Sequence, residues 1–520
     1  MIISYLQLCY QILNHVNCTI FSFISHVNYI LRILAYLCKF LKMEDKYEIV
    51  IGLEVHAQLN TKTKIFAADE TTFGAAPNTQ ISPITVGLPG TLPRLNKEVV
   101  ELAVKLGIAL DCHINEVNFF DRKNYFYADL PKGYQISQDR QPICVGGFVE
   151  IVVNNEPKKI ALSRIHMEED AGKNNHELDP DFSLIDLNRA GVPLLEIVSE
   201  PDIRSSDEAY AYVTELRKLV RYLDVCDGNM EEGSMRCDAN VSVRLKGETN
   251  YRNRVEVKNM NSIRNVKRAI DAEVKRQIEI YENGGTVDQE TRSFDPVDAS
   301  SFTLRSKENA HDYRYFPEPD LPPVVISSTT IEQIKSQMPQ LPKALQTLFT
   351  QTYNLTAYDA QVLTDDKETA DYFMAVIQHT SNYKAAANWI NNDVKSLLNE
   401  INCSLKDFAV QAKQLAEIIQ LLDDNIVSSS GAKTIFKAFA DGNKSSAIAV
   451  AEALNLIQSS DKDELTKWIE AALAKYPDKV KEYKNGKKGN LNLFIGEVMK
   501  LSRGAADPKT TTQLIVQLLK

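Results

Sequence analysis

The residues from 47 to about 325 alternate short apolar runs with clusters of Gly, Pro, Asn and Asp. Period-two alternation between turn-forming residues predicts strands joined by loops. Three stretches follow a helical pattern instead, at Lys97 to Leu110, Ser206 to Leu223 and Ser262 to Asn283. We therefore predict that this part of the chain is an α+β domain with a few helices among many strands.

The pattern changes after a proline-rich stretch that ends at Pro323. From there the chain is rich in Ala, Leu, Lys and Glu with apolar residues at period 3.6, which predicts a domain boundary followed by helices. We expect one group of helices from about Ser328 to Ile401 and a second from about Leu405 onward. The predicted domains are a mixed-sheet domain over residues 43–327, a helical domain over residues 328–402 and a helical tail over residues 403–520.

Residues 1–42 differ from everything that follows, because they contain no Asp or Glu and their first charged residue is Arg32. One interpretation is a membrane anchor, which requires about 20 mostly apolar residues. However, Gln, Asn and His residues interrupt the apolar run, and neither a signal-peptide start nor the arginines of a transit peptide are present. We favour a second interpretation, in which upstream sequence is joined to a start at Met43, and we expect no membrane contact.

Composition and charge narrow the class of protein. A chain of 520 residues predicts about three domains. The chain has 44% hydrophobic and 25% charged residues, close to the averages of globular proteins. This composition excludes a disordered or fibrous protein. The net charge of −10 means that any nucleic-acid site must be a local patch. Eight cysteines without a CxxC pair argue against a zinc ribbon or a disulfide framework, so we expect a reducing, cytosolic compartment.

Acidic side chains interrupt predicted strands where apolar residues are the rule. Glu54 and His56 share one face of an alternating strand, since neighbours two apart lie about 7 Å from each other on the same side. Glu168 and Glu169 end another strand-like run. Glu196 is flanked by apolar residues on both sides, and an acid there is costly to bury unless it is paired, protonated or bound to metal.

These five residues are the donor set expected for Mg²⁺ or Mn²⁺ rather than for structural zinc, because carboxylate oxygens predominate. Each has a simpler interpretation on its own. A carboxylate at a strand end is usually a solvated charge, and a single histidine is usually a hydrogen-bonded structural residue. The spacing does not require the strands to converge, so a shared metal site and separate structural roles both remain open.

Two basic stretches could contact RNA. Residues 250–276 hold eight Lys or Arg against three acids, and residues 476–509 hold eight against four, with Tyr483 and Phe494 among them. Such patches bind phosphates and the aromatics can stack on bases, although a solvated helix face is the commoner explanation.

Several common catalytic motifs are absent from the sequence. The chain has no GxxxxGK[ST] loop, no GxGxxG motif after a strand and no recognisable amidase nucleophile loop. We therefore expect that it does not hydrolyse amides itself.

Six long runs are specific enough to suggest a family. They are residues 51–56 (Ile-Gly-Leu-Glu-Val-His), 121–127, 166–172, 231–240, 312–320 and 483–500. With these runs the chain closely resembles the B subunits of the aspartyl/glutamyl-tRNA(Asn/Gln) amidotransferases, from Met43 onward. The last run is similar to a YqeY-type domain, although it reads Lys-Lys-Gly-Asn-Leu-Asn where that family more often has an Ala- or Met-containing turn.

The resemblance implies a ligase activity. ATP phosphorylates glutamate or aspartate misacylated onto tRNA, and ammonia then displaces the phosphate to give Gln-tRNA(Gln) or Asn-tRNA(Asn). Ammonia would come from a separate amidase (glutaminase), the A subunit, while a small C subunit would hold the two large ones together in a heterotrimer. The implied fold is a cradle of mixed strands that carries the chemistry, followed by a helical domain and a YqeY-like tail that grip the tRNA.

The resemblance also implies roles for particular residues. His56, Glu169 and Glu196 would bind the catalytic Mg²⁺, with Glu54 and Glu168 as further acidic ligands. Lys123 and Lys132 match positions near the inner end of the family's ammonia passage, where they would exchange protons with ammonia or ammonium, and Glu169 is the third expected catalytic residue. The tail lysines expected to contact tRNA are Lys481, Lys484, Lys487 and Lys488.

An alternative from a different functional class remains open. The chain could be a tRNA-binding scaffold of the same complex whose acids are only structural, and a Glu196→Gln variant would separate the two hypotheses. A related form that serves only glutamyl-tRNA carries an inserted synthetase-like domain, for which residues 294–328 leave no room. The sequence does not say whether glutamyl-tRNA, aspartyl-tRNA or both are substrates. We expect a bacterial, cytoplasmic protein.

Overall fold

The computed structural model describes residues 46–176, 178–306, 313–458, 462–502 and 506–519. The extension predicted at residues 1–42 lies outside these ranges. The described chain forms two compact units, one ending at Pro339 and the other beginning at Gln340. The helix Ser328–Gln337 therefore belongs to the first unit. The domain limits expected from the sequence, after residues 327 and 402, stay predictions.

The first unit is built mainly from strands. In chain order its strands are β1 (Tyr47–Gln58), β2 (His113–Ile114), β3 (Val117–Asn118), β4 (Asp121–Asn124), β5 (Tyr134–Ser137), β6 (Cys144–Val145), β7 (Phe148–Val153), β8 (Glu156–Glu169), β9 (Lys173–Asn175), β10 (Leu184–Asp186), β11 (Pro193–Ser199), β12 (Met235–Leu245), β13 (Val255–Lys258), β14 (Glu290–Asp295), β15 (Ser300–Ser306), β16 (Phe316–Pro317) and β17 (Val324–Val325). Its helices are α1 (Lys97–Ala109), α2 (Ser206–Tyr222), α3 (Ile263–Glu282) and α4 (Ser328–Gln337). The three helices predicted in residues 47–325 are confirmed, with ends that agree to within one residue.

A ten-stranded mixed sheet organises this unit. Its order is β15-β14-β13-β12-β1-β11-β8-β6-β2, and β7 pairs with β8. β13 and β14 pair in parallel, whereas the strands around β1 are antiparallel. The smaller hairpin β4–β5 pairs with β16. The predicted fold class is confirmed, namely α+β with a mixed sheet followed by helices.

β1 lies at the centre of the sheet, between β11 and β12. Its apolar residues Ile51, Leu53 and Val55 are almost completely buried, and α2 and α3 pack against this part of the sheet. Glu54 and His56 point to the opposite face, because successive side chains of a strand alternate. The alternation read from the sequence thus separates an apolar face from a polar one.

In the second unit the described residues form helices joined by turns and loops, with an isolated β-bridge between Val427 and Ile457. Its helices are α5 (Pro342–Gln351), α6 (Ala357–Leu363), α7 (Lys367–Val376), α8 (Tyr383–Asn388), α9 (Lys395–Ile401), α10 (Ala412–Asp423), α11 (Ser429–Ala440), α12 (Ala447–Ala453), α13 (Lys462–Lys475), α14 (Pro477–Lys484), α15 (Leu491–Leu501) and α16 (Pro508–Leu518). A π-helical segment, Trp389–Val394, joins α8 to α9, and 3₁₀ turns occupy Leu405–Asp407 and Lys488–Asn490. The last four helices enclose a core that includes Leu465, Ile469, Phe494 and Ile515.

Among the described residues, no helix is both long enough and apolar enough to cross a membrane.

Candidate active site

Four side chains form a row across four neighbouring strands on the polar face of the sheet. His56 of β1 is directly opposite Glu196 of β11 and Arg236 of β12. Glu196 is in turn opposite His166 of β8. Neighbouring strands lie about 4.8 Å apart, so side chains in such a row touch their neighbours. The register therefore brings together residues that are up to 180 positions apart in the chain.

The carboxylate of Glu196 lies between two imidazoles. Its Oε2 is 3.4 Å from Nε2 of His56 and 3.3 Å from Nε2 of His166. Glu196 is only 6% exposed, and its strand neighbours Leu195 and Ile197 are completely buried on the apolar face. The anomaly seen in the sequence, an acid within an apolar strand, is resolved because the acid has two basic partners.

Glu168 extends the row toward β4. Its Oε2 lies 3.8 Å from Nε2 of His166 and 3.6 Å from Nζ of Lys123. The amide of Gln135 donates a hydrogen bond of 2.7 Å to the other oxygen, Oε1. Glu168 is almost completely buried, as is His166. Lys123, one of the lysines expected from the resemblance, is thus in contact with the cluster.

Glu54 extends the same face toward β12. Its Oε1 lies 3.6 Å from Nε2 of His56, and its strand position is opposite Asp238. Lys258 forms an ion pair with Asp238 and lies 3.0 Å from Oε1 of Glu256. The acids at this end of the cluster are therefore partly neutralised by a lysine that the sequence pattern did not single out.

Glu169 is the exception among the expected ligands, because it points to the other face of the sheet. Its Oε1 accepts a hydrogen bond of 2.8 Å from the backbone N–H of Ile136 and pairs with the ammonium of Lys132. The expected grouping of Glu169 with Glu196 does not occur in this structure. The physical reason is strand alternation, since Glu168 and Glu169 are consecutive and only one of them can face His166.

Asp170 returns to the polar face and is held by positive charges. Arg236 donates two hydrogen bonds to its carboxylate, at 2.9 and 3.1 Å, and Nε of Arg189 lies 3.8 Å away. Gln58 donates a further hydrogen bond of 2.7 Å. Burial alone would raise the pKa of Asp170, but the two arginines outweigh it and lower the pKa to about 2. Asp170 is therefore an anion that fixes Arg236 beside His56.

The two buried charges at the centre stabilise each other. Burial acts against the imidazolium of His166, but the carboxylates of Glu196 and Glu168 outweigh it and raise its pKa to about 9. Burial also acts against ionised Glu196, yet His166 and His56 hold the pKa of Glu196 well below its ordinary value. For Glu54, burial and repulsion from Glu196 raise the pKa. A buried anion between imidazoles is the electrostatic centre of the site.

Two groups within the cluster have the geometry of a cation site. The ligand atoms of His166, Glu168 and Glu196 lie within 4.8 Å of one another, and so do those of the neighbouring group. That second group consists of Glu54, His56 and Asp238. Oε2 of Glu168 is buried and has no hydrogen-bond partner among the described residues. Carboxylate oxygens with one imidazole fit a hard divalent cation such as Mg²⁺.

Sequence reasoning missed His166, Arg236 and Asp238. A signal for His166 was present, since it lies two residues before Glu168 and must share its face of the strand. The other two could not be found in this way, because nothing in the sequence sets which residues of β12 are opposite Glu54 and His56. Register depends on the whole strand pair and not on local spacing.

Two cavities are lined by residues that contact this region. One of about 800 Å³ is lined in part by Gln58, Arg189 and Glu232, and its size is that of a small-molecule site. A smaller one of about 230 Å³ is lined in part by Lys132 and Glu169. Glu232, the second of two consecutive acids at the start of the run 231–240, lines the larger cavity.

The four expected tRNA-contacting lysines lie at the end of α14 and in the turn that follows it. Lys481, Lys484, Lys487 and Lys488 are all exposed. Lys487 is 3.4 Å from Oε2 of Glu482, and the ammonium of Lys488 lies 4.3 Å from the ring centroid of Tyr483. In the other basic stretch several cations pair with acids, as Arg252 does with Glu248, Lys267 with Asp207 and Arg276 with Glu273.

Comparison with known proteins connects this chain to a family. The GatB/GatE catalytic domain matches residues 49–332, and a GatB domain matches residues 371–519. A relative from Geotalea daltonii, named as the B subunit of aspartyl/glutamyl-tRNA(Asn/Gln) amidotransferase, is 49% identical over 91% of this chain and 100% of its own length. A relative of the same name from Bdellovibrio bacteriovorus is 46% identical over 91% of this chain and 99% of its own length. The chain therefore belongs to the B-subunit family of the aspartyl/glutamyl-tRNA(Asn/Gln) amidotransferases.

Proposed function

We propose that this chain is the ligase subunit that converts misacylated Glu-tRNA(Gln) or Asp-tRNA(Asn) into Gln-tRNA(Gln) or Asn-tRNA(Asn). The observation that carries the proposal is the buried carboxylate of Glu196 between His56 and His166. A scaffold that only binds tRNA does not require two imidazoles and several acids at one buried point, and such an arrangement is costly without a function.

The proposed reaction has two steps. A side-chain carboxylate oxygen of the misacylated residue attacks the γ-phosphorus of ATP, ADP leaves, and an acyl phosphate forms. The nitrogen of ammonia then attacks the acyl carbon, and phosphate leaves with the oxygen that made the attack. Catalysis of phosphoryl transfer is mainly positioning and charge stabilisation. The row of charged groups on the sheet supplies both, because each member is fixed by its neighbours.

Mg²⁺, when bound, would neutralise negative charge on the transferring phosphoryl group. We propose that Glu168, Glu196 and His166 hold one cation, and that His166 releases its proton when the cation binds, because only a neutral imidazole is a metal ligand. Glu54, His56 and Asp238 would be the neighbouring group for a second cation. This differs from the assignment that the family resemblance implied, since Glu169 faces the other way. Glu169 would instead position Lys132, with which it forms an ion pair.

Ammonia is proposed to arrive from a partner amidase, with a small third protein joining the two large subunits. Lys123 and Lys132 would lie at the inner end of its path, one on each face of the β8 end. Lys123 contacts Glu168, and Lys132 contacts Glu169 beside the smaller cavity. Ammonia must be neutral to act as a nucleophile, so groups that bind or release protons near the acyl carbon would control its reactivity.

The tRNA is proposed to bind the tail through exposed lysines of α14 and the following turn. Lys481 and Lys484 lie in the last turn of that helix, where their charges also complement the helix dipole. Contacts of this kind are independent of sequence, because they are made to phosphates. We propose the bacterial cytoplasm as the site of action, since tRNA and its synthetases are found there.

The test is a Glu196→Gln variant in the complex with its partner subunits. We expect ATP-dependent formation of Gln-tRNA from ammonium to fall by about 100-fold, the scale on which single electrostatic groups act in active sites. The matched control is Glu273→Gln, another buried glutamate of the same unit, which pairs with Arg276 within α3 and is not a member of the row. The control should keep its activity.

A folded Glu196→Gln complex with full transamidation would contradict the proposal. It would favour the alternative in which this chain is a tRNA-binding scaffold. Thermal unfolding and co-purification with the partner subunits establish that each variant is folded and assembled. Glutamine hydrolysis by the partner is a further control, because it does not use the Glu196 row and should continue.

A further inference from the structure

Four tyrosines lie together beside the Glu196 row, and the reaction described above gives them no role. They are Tyr125, Tyr127, Tyr313 and Tyr315. Together with Phe126, which lies between the first two in the chain, we refer to them as the aromatic patch. The ring of Tyr125 is 6.1 Å from that of Tyr127 and 5.9 Å from that of Tyr313, and the rings of Tyr313 and Tyr315 are 6.1 Å apart. All three contacts are edge-to-face, the arrangement that aromatic rings prefer.

The patch is connected to the buried cluster by two routes. The hydroxyl of Tyr125 donates a hydrogen bond of 2.8 Å to Oε1 of Gln135, whose amide donates one of 2.7 Å to Glu168. Lys123 lies 3.6 Å from the carboxylate of Glu168 and 5.3 Å from the ring centroid of Tyr313. Groups that contact the patch thus also contact a proposed cation ligand.

The outer edge of the patch is open to solvent. Phe126 is 89% exposed and Tyr127 is 61% exposed, whereas Tyr125 and Tyr313 are half-buried. Phe126 nevertheless lies over the backbone, because a Cβ at Gly133 would be only 3.2 Å from its Cε1. Two large exposed aromatics beside a polar site are typical of a binding surface rather than of a random surface position.

We propose that the aromatic patch binds the unpaired 3′ end of the misacylated tRNA, with the terminal base stacked on Phe126 or Tyr127. This inference rests on the proposed function. The amino acid is esterified to the terminal ribose, so the terminal base must lie next to the site when the side-chain carboxylate reaches Glu168 and Glu196. Bases of an unpaired strand expose their faces and stack on aromatic side chains irrespective of sequence.

The other adenosine-bearing substrate, ATP, has a different candidate location. The cavity of about 800 Å³ beside Gln58 and Arg189 has the volume of a nucleotide site, and none of its lining residues belongs to the aromatic patch. The outer rings of the patch, those of Phe126 and Tyr127, are open to solvent. An open surface suits the end of a macromolecule that arrives from solvent.

The test uses Phe126→Ala and Tyr127→Ala in the assembled complex. Each exposed ring can be removed without opening the core, so we expect both variants to fold. For the ring that carries the base, the KM for Glu-tRNA(Gln) should rise by about 10-fold, within the range for loss of one base stack. The KM values for ATP and for ammonium should stay unchanged.

Two controls accompany these variants. Tyr127→Phe keeps the stacking face and should keep the wild-type KM. Phe302→Ala removes an aromatic ring of similar exposure, 53% against 61%, from the edge strand β15 of the same unit, and it should have no effect. An effect of Tyr127→Ala that Tyr127→Phe does not show is a loss of stacking and not of a hydroxyl hydrogen bond.

Three outcomes would overturn the inference. A raised KM for ATP with an unchanged KM for tRNA would mean that ATP occupies the patch. Loss of co-purification would mean that the patch is a subunit interface. Unchanged kinetics in both alanine variants would mean that it binds nothing in this reaction. A wild-type complex that makes no Gln-tRNA would instead refute the proposed function, so the two failures are distinguishable.

Discussion

Lys64 follows β1 and is completely buried in the first unit. Its ammonium donates hydrogen bonds to the carbonyl oxygens of Gln80, at 2.7 Å, and Leu187, at 3.3 Å. Carbonyl groups are neutral, so they stabilise the charge less than a carboxylate in contact would. Burial lowers the pKa of Lys64 from 10.5 to about 8, against attraction by Asp69 and Asp186.

This lowered pKa predicts how stability depends on pH. Because the folded state releases the Lys64 proton near pH 8 and the unfolded chain only near 10.5, the unfolded chain binds more protons in that window. The contribution of Lys64 to the free energy of unfolding therefore rises with pH from about 8 to 10.5. A Lys64→Met variant lacks this rise, so the wild type should gain stability relative to it over that window.

Urea unfolding of both proteins at several pH values between about 7 and 10 measures the difference. Other titrating groups are common to the two proteins and cancel in the comparison. The loss of two hydrogen bonds changes the difference by a constant at all pH values. A difference that does not vary with pH would contradict the lowered pKa.

Some residues of the site could be predicted from the sequence and others could not. The anomaly of Glu196 was visible in the sequence, because an acid amid apolar residues demands a partner. Of its two histidine partners, the sequence predicted His56 but not His166. Glu168, Glu169 and Asp170 are consecutive, so the sequence alone did not show which of their side chains point toward Glu196. The strand register shows it, because His166 is opposite Glu196 and Glu168 lies on the same face as His166.

At the scale of helices and strands, the spacing of apolar residues along the chain gave most of the correct predictions. The helices α1, α2 and α3 were expected with nearly their observed ends. In the structure the side chains of Asn96, Ser205 and Ser262 cap their first turns. The alternation of β1 determined which of its side chains share a face. What the sequence lacked was the order of strands. β1 pairs with β11 and β12, more than 130 positions away, and no local pattern specifies such partners.

The proposed contacts of α14 with tRNA predict how tRNA binding depends on salt concentration. Replacing Lys481 and Lys484 with Gln should weaken tRNA binding and lower the slope of log K against log salt by about 1.5, because two phosphate contacts are lost. Binding of tRNA to the complex over a range of salt concentrations measures that slope. The control replaces Lys413 and Lys437, two exposed lysines of the same unit, with Gln. A slope equal to that of the control would contradict a role for α14.

At the scale of the whole molecule, charge and composition set the expectations. A net charge of −10 confines nucleic-acid contacts to local patches, and we propose the exposed lysines of the tail as one such patch. The change from alternating strands to period 3.6 indicated a strand-rich part followed by a helical part, and the two compact units follow that order. The sequence alone did not reveal the row across the sheet, since the row exists only once four strands are aligned.

The Glu196 row is proposed to transfer phosphate from ATP to the substrate carboxylate. The most direct measurement labels both side-chain carboxylate oxygens of Glu-tRNA(Gln) with ¹⁸O and follows the label during ATP-dependent amidation with ammonium. We predict that each Gln-tRNA formed releases a phosphate carrying one ¹⁸O, and that Glu196→Gln lowers the formation of both products by about 100-fold. Gln-tRNA formed together with unlabelled phosphate would contradict this transfer.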